Sequence, residues 1–164
     1  MKKIFLLLVL ANACHHTRKS EERIERFETG VISRIIPMID GKKEGIMRDF
    51  YPDGKLMAER AFQNNLQEGK TRIYYPSGNL KEVQYYTNGL QTDGDTLWYE
   101  NGAIQFSVTF KANKKNGYLR KWDQQGQLIY ESKYSMDSLV EVKGEPIEYY
   151  ERRNNPDFIK PKQQ

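Results

Sequence analysis

Gly69-Lys70-Thr71-Arg72-Ile73-Tyr74-Tyr75-Pro76-Ser77-Gly78-Asn79-Leu80-Lys81-Glu82-Val83-Gln84-Tyr85-Tyr86 carries the whole fold in miniature. Residues 70–75 are β-prone. Pro76 then fixes φ, and Gly78 accepts the positive φ that lets the chain turn back. In the strand that follows, Leu80, Glu82, Gln84 and Tyr86 fall on one face, while Lys81, Val83 and Tyr85 fall on the other. Asn88-Gly89, a strong reversal dipeptide, hands the chain on.

The same pattern recurs on both sides at an offset of 24 residues. Phe27-Glu28-Thr29-Gly30, Tyr51-Pro52-Asp53-Gly54, Tyr75-Pro76-Ser77-Gly78, Tyr99-Glu100-Asn101-Gly102 and Asp123-Gln124-Gln125-Gly126 stand in register. Two places after each glycine comes Ile32, Leu56, Leu80, Ile104 or Leu128, and six further on comes Met38, Phe62, Tyr86, Phe110 or Tyr134. Phe50, Tyr74, Trp98 and Trp122 form another column just before the turns, and Gly45, Gly69 and Gly117 open their units. Asp40-Gly41 and Asn64-Asn65 supply the second reversal in earlier copies. Self-similarity at such a period marks an array whose units bury their surfaces on one another. Turns every 10 to 12 positions leave no room for a long helix. The expected fold is all-β, an elongated single-layer antiparallel meander of 24-residue hairpin repeats over residues 27–151. Ser20 to Phe27, with Glu21, Glu22 and Glu25 among basic residues, reads as a short helix or a charged tether. At the other end the pattern decays: Asp123 replaces the aromatic and Met136-Asp137-Ser138 replaces the reversal. Glu145 to Tyr150 reads as a closing strand, and 152–164, charged and bearing Pro156 and Pro161, as an irregular tail.

These columns resemble the MORN-repeat variant family, whose unit is a glycine, a Tyr-Tyr pair, a glycine turn, a leucine and an aromatic. Gly69 through Tyr86 shows the pattern almost complete, and the resemblance extends over roughly 27 to 150. Departures are Asp93 at the leading glycine, Glu100 and Gln124 at the turn proline, and Asp123 at the tyrosine. The resemblance implies lipid, membrane or protein contact, and for bacterial members an antitoxin-like role of the YwqK type.

The N-terminus points to export. Met1-Lys2-Lys3 is followed by an apolar run from Ile4 to Leu10 and by Ala11-Asn12-Ala13 before Cys14, the only cysteine. The run is too short for a permanent membrane span. Residues 1–13 resemble a bacterial lipoprotein signal, which makes Cys14 the lipidation site and 14–26 a tether. An ordinary secretory signal cut after Ala13, and a buried apolar strand, are the other readings. A lone cysteine forms no intrachain disulfide, so stability must come from the repeats.

Chemistry is sparse. His15 and His16 sit in the presumed tether without further metal ligands nearby, and no His or Cys follows, which removes triads, Cys-His dyads and zinc sites from the repeats. Asp93 and Asp95 would share a strand face, with Glu131 and Glu141 elsewhere, and none stands in an apolar context that would raise a carboxyl pKa. No metal or cofactor is expected. The 26 Lys and Arg are dispersed among 22 acids, so the formal +4 does not form a nucleic-acid footprint. Two roles are open to the adjacent aromatic columns, Phe50, Tyr74, Trp98, Trp122 and Tyr51, Tyr75, Tyr99: a buried cross-strand ladder, or a stacking surface for glycan, peptide or lipid headgroup. The expected protein is non-catalytic, anchored by lipid in a bacterial cell envelope or else periplasmic or secreted, and binds another protein or envelope macromolecule. The alternatives are a cytosolic antitoxin-like partner of a toxin and, least favoured, a carboxylate-dependent wall-glycan hydrolase.

Overall fold

A computed structural model describes residues 18–143 and 145–146. The signal 1–13, Cys14, His15, His16, most of the closing strand Glu145–Tyr150 and the tail 152–164 lie outside the described residues. The strands are β1 (Ser20–Arg26), β2 (Ile32–Ile39), β3 (Lys42–Lys43), β4 (Gly45–Phe50), β5 (Leu56–Gln63), β6 (Leu66–Tyr74), β7 (Leu80–Thr87), β8 (Leu90–Trp98), β9 (Ile104–Lys111), β10 (Lys114–Trp122), β11 (Leu128–Ser135), β12 (Ser138–Val142) and β13 (Glu145–Pro146). They form one sheet in chain order, with only the short β3, paired to β2, off the path. Every pairing is antiparallel. At the usual strand spacing the path is roughly 50 Å wide. The all-β hairpin array read from the sequence is therefore the observed fold.

Two kinds of reversal alternate along the chain. On one side lie three-residue loops, each closed by two backbone bonds. In the loop around Gly78, Tyr75 N–H donates to the Asn79 carbonyl and Gly78 N–H to the Tyr75 carbonyl, both at 2.8 Å. This is a type I turn whose last residue, Gly78 at φ 92°, makes a bulge. Phe27, Tyr51, Tyr99 and Asp123 begin loops with the same pair of bonds. On the opposite side the turns have two residues, both at positive φ, as the type I′ hairpin requires: Asp40-Gly41, Asn64-Asn65, Asn88-Gly89, Ala112-Asn113 and Met136-Asp137.

Both ends differ from the sequence expectation. Ser20–Arg26, expected as a helix or tether, is a strand paired with β2 from Ser20↔Ile39 to Arg26↔Ile32. The hairpin register of β2 demands a partner, and β1 supplies it. Its exposed Glu21, Glu22, Arg23 and Arg26 then guard the open edge of the sheet against further pairing. Met136-Asp137 is a full reversal, with φ of 49° and 72°, because the flanking register forces the left-handed backbone that Asn or Gly adopts elsewhere. Asp123 likewise keeps its loop, and Asp93 at φ 56° keeps the backbone of the leading glycines, Asp being among the residues that visit this region.

Hydrogen bonds running from unit to unit stitch the type I′ side. Asn65 N–H donates to the Lys43 carbonyl at 3.0 Å, and Lys43 N–H to Asn65 Oδ1 at 2.8 Å. Asn113 with Gln91 and Asp137 with Lys115 repeat this reciprocal pair, and Gly89 keeps its backbone half. Glu44 and Glu68 accept from the amides of Asn64 and Asn88, at 2.8 and 2.6 Å.

Burial is one-sided. Of the ten buried side chains described, Ile36, Met47, Asp49, Ala58, Thr71, Val108, Leu119, Ser132 and Val142 share one face by register, and only Val83 belongs to the other. We call these the filled and the open face. Each buried Ile, Val, Leu or Met contributes about 1.5–3 kcal/mol, so the core is thin and spread along the array.

Ala112 holds a left-handed conformation that costs a non-glycine residue about 1–2 kcal/mol. Ala112→Asn should raise stability by about 1 kcal/mol in urea denaturation. Gly78→Val should lose more than Lys81→Ala, since valine is strained at φ 92° whatever space surrounds it.

Candidate binding surface

The seven aromatic residues singled out by phase divide into two groups. Tyr51, Tyr75 and Tyr99 begin the three-residue loops, and each hydroxyl donates to a backbone carbonyl one unit along: Tyr51 to Tyr74 at 2.7 Å, Tyr75 to Trp98 at 2.7 Å, Tyr99 to Trp122 at 2.9 Å. Each such bond contributes about 1 kcal/mol. These three rings couple neighbouring units and leave no hydroxyl proton for a ligand.

Phe50, Tyr74, Trp98 and Trp122 are half-buried at the same end of the sheet. Tyr74 reaches Glu59 on the open face, its hydroxyl 3.2 Å from Oε2, and its phenol pKa is raised by burial and by that carboxylate. Trp98 lines a shallow depression with Asn79, Leu80 and Glu100, and Trp122 another with Tyr99, Gln105 and Ile129 together with Leu97, Phe106 and Lys121 of the filled face. Both tryptophans thus border solvent-filled space.

Next to them a continuous row of paired residues crosses eight strands of the open face: Arg48↔Glu59↔Arg72↔Val83↔Thr96↔Ser107↔Arg120↔Glu131. Arg48 lies 3.5 Å from Glu59, and Arg120 is bonded to Glu131. Between Arg72 and Arg120 the row holds only Val83, Thr96 and Ser107. Tyr85 and Tyr118 stand on the side away from the tryptophans, with Lys70 over the first at 5.1 Å and Arg120 and Lys133 over the second at 4.5 and 5.4 Å. Such cation–π contacts hold the rings and leave the cations at the surface.

The filled face turns polar midway along the array. Asp49, 1% exposed, is bonded by both Arg34 and Arg60, and Arg34 also reaches Glu25 at 3.4 Å. Further on, Gln67 donates to Thr71 at 2.6 Å, Gln84 to Glu82, Tyr86 to Gln84 at 2.9 Å and Gln91 to Asp95 at 3.1 Å. Burial, reinforced by the Glu82 carboxylate and opposed by the Gln91 amide, pushes the Asp95 carboxyl up to about 6. The sequence reading, in which no acid had a raised pKa, is corrected here: Asp95 follows Met47 and Thr71 in phase, a column that points into the core. Asp93, by contrast, is exposed on its bulge, so Asp93 and Asp95 do not share a buried site. The acid that adjoins Asp95 is Glu82. Glu131 is bound to Arg120, and Glu141 pairs with Lys133 in register. Among the described residues no three His, Cys, Asp or Glu side chains gather as a metal-holding group.

Arg72, Arg120, Thr96 and Ser107 escaped the sequence reading. The signal is the 24-residue phase of Arg48, Arg72 and Arg120, a column that Thr96 interrupts.

Two segments, residues 43–64 and 67–89, match the MORN repeat variant. Each spans one hairpin around a three-residue loop, β4–β5 and β6–β7, bounded by type I′ turns. The other copies extend the same geometry beyond the matched segments. No curated protein matches the chain.

Two outcomes test the filled face. Asp49→Ala should destabilise by about 1–3 kcal/mol, because it removes a buried carboxylate bonded by two arginines that are themselves partly solvated. For Asp95 the folded chain binds its proton more tightly than the unfolded chain, so this residue lowers stability as pH rises from about 4 towards 6 and beyond. Asp95→Asn should therefore raise the melting temperature at pH 7.5, with the gain vanishing near pH 4.

Proposed function

We propose that this repeat protein is a non-catalytic, lipid-anchored component of a bacterial cell envelope that binds another macromolecule through the open face of its sheet. The observation that carries the reading is the one-sided burial. A sheet of this width that buries nine side chains on one face and a single valine on the other leaves an extended surface of cations and aromatic rings. A broad surface of half-buried rings flanked by cations suits an interface.

Lipidation rests on the sequence around Cys14. The apolar run Ile4 to Leu10 is followed, after Ala11-Asn12-Ala13, by the one cysteine of the chain, and the segment between Cys14 and the start of β1 is short, so the array would lie close to the membrane that holds the anchor. The proposed partner is a protein or other envelope macromolecule and not a nucleic acid. The placement of the acids supports binding over hydrolysis: Asp95 is half-buried beneath the surface among hydrogen-bonded neighbours, and Asp93 stands apart on its bulge.

Cells grown with labelled palmitate should yield a labelled chain in the membrane fraction, and Cys14→Ala should abolish both the label and the fractionation. A wild-type chain that takes up no label and fractionates with the cytosol would instead favour the antitoxin-like reading.

A further inference from the structure

We infer that the stretch of open face between Arg72 and Arg120 is a binding groove for an acidic polysaccharide, one whose sugar rings carry occasional carboxylates. The inference rests on the proposed binding role of this face and names the chemistry of the partner.

The floor is the part of the row formed by Val83, Thr96 and Ser107. These are the smallest consecutive side chains along it, and Val83, 8% exposed, is sunk between its neighbours. Gly94, two residues from Thr96 on the same face of β8, adds no side chain at all. Neither Thr96 nor Ser107 forms a hydrogen bond to another described side chain, so both hydroxyls are free to meet a ligand. The walls are aromatic: Tyr85 and Tyr118 on one side, Trp98 and Trp122 on the other. Cations close the two ends, Arg72 with Lys70 and Arg120 with Lys133; Arg120 gives its Nε–H to Glu131, which leaves its two terminal nitrogens for a ligand. Arg72 and Arg120 stand four strands apart, about 19 Å at the usual spacing.

Three physical points select the occupant. The groove lies in the middle of the sheet, where the backbone groups are committed to the ladder, so a peptide cannot be held by strand addition and only side-chain contacts are available. A nucleic acid carries a charge at every phosphate, and the neutral floor between the terminal arginines would leave most of those charges unmatched. Sugar rings present flat C–H faces to aromatic walls and hydroxyls to Thr96 and Ser107. Sparse carboxylates then suit guanidinium groups far apart, which can take them in a planar two-pronged contact.

The test is calorimetric titration of the purified full-length chain with oligogalacturonate, the methyl-esterified form of the same oligomer, and oligothymidylate. Saturable binding of oligogalacturonate that weakens with salt and perturbs tryptophan fluorescence is expected. Methyl esterification, Arg72→Gln and Arg120→Gln should each weaken it about tenfold, with circular dichroism unchanged in the variants and melting lowered only slightly by Arg120→Gln, which gives up its surface pair with Glu131. Absence of binding, affinity indifferent to esterification or to both arginine substitutions, or equal affinity for oligothymidylate would each overturn the inference. Capture of envelope material by the wild-type chain and not by the Arg72→Gln, Arg120→Gln double variant separates the two levels. If that capture persists while oligogalacturonate fails, the glycan assignment falls and the binding role of the face stands. If neither occurs, both fall.

Discussion

The whole array depends on reversals that force the backbone into left-handed conformations at fixed intervals. Each unit contains one three-residue loop ended by a residue such as Gly78 and one two-residue turn such as Asn88-Gly89, the latter with both residues at positive φ. Together they set the strand length, and strand length sets which residues meet in register. Because side chains alternate with a period of two, a single slipped turn would exchange the filled and open faces for every strand beyond it. That constraint explains why Ala112, Met136 and Asp93 tolerate a backbone that suits them poorly. The register on both sides of each is worth more than the local strain.

Register alone would leave a row of marginal hairpins. The units are joined at both ends of their strands by bonds that skip from one copy to the next. On one side the phenols of Tyr51, Tyr75 and Tyr99 reach carbonyls of the following unit, and on the other the second residues of the type I′ turns return to the preceding one. These bonds lie where a thin core is weakest, at the sheet margins. The filled face supplies the rest through small or apolar side chains along its centre, interrupted midway by the Asp49 and Asp95 groups. Confining the buried positions to one face leaves the other to carry half-buried rings and cations, which is the connection between this fold and a binding role.

Much of this was legible in the sequence, since turn chemistry and strand alternation are local properties. Tyr75-Pro76-Ser77-Gly78 and Asn88-Gly89 specify their turns almost by themselves. What stayed hidden depends on neighbours distant in the chain. Ser20–Arg26 has the composition of a solvated tether and becomes a strand only because β2 offers it an edge. Met136-Asp137 looks like a lost reversal and is held in place by the flanking strands and the Lys115 stitch. The raised pKa of Asp95 arises from burial and from Glu82 on the adjoining strand, neither of which is visible in the residues beside it. Of the aromatic residues nominated for binding, the tyrosines of the loops are structural couplers, a role that required knowing where each hydroxyl points.

Native-state hydrogen exchange tests the central claim, that in-phase hairpins are fused into one cooperative sheet, most directly. Amides of β5 through β10 should open with a common free energy, broken at 24-residue intervals only by the exposed turn residues. Independent exchange rates for each hairpin, or protected amides out of step with that interval, would contradict it.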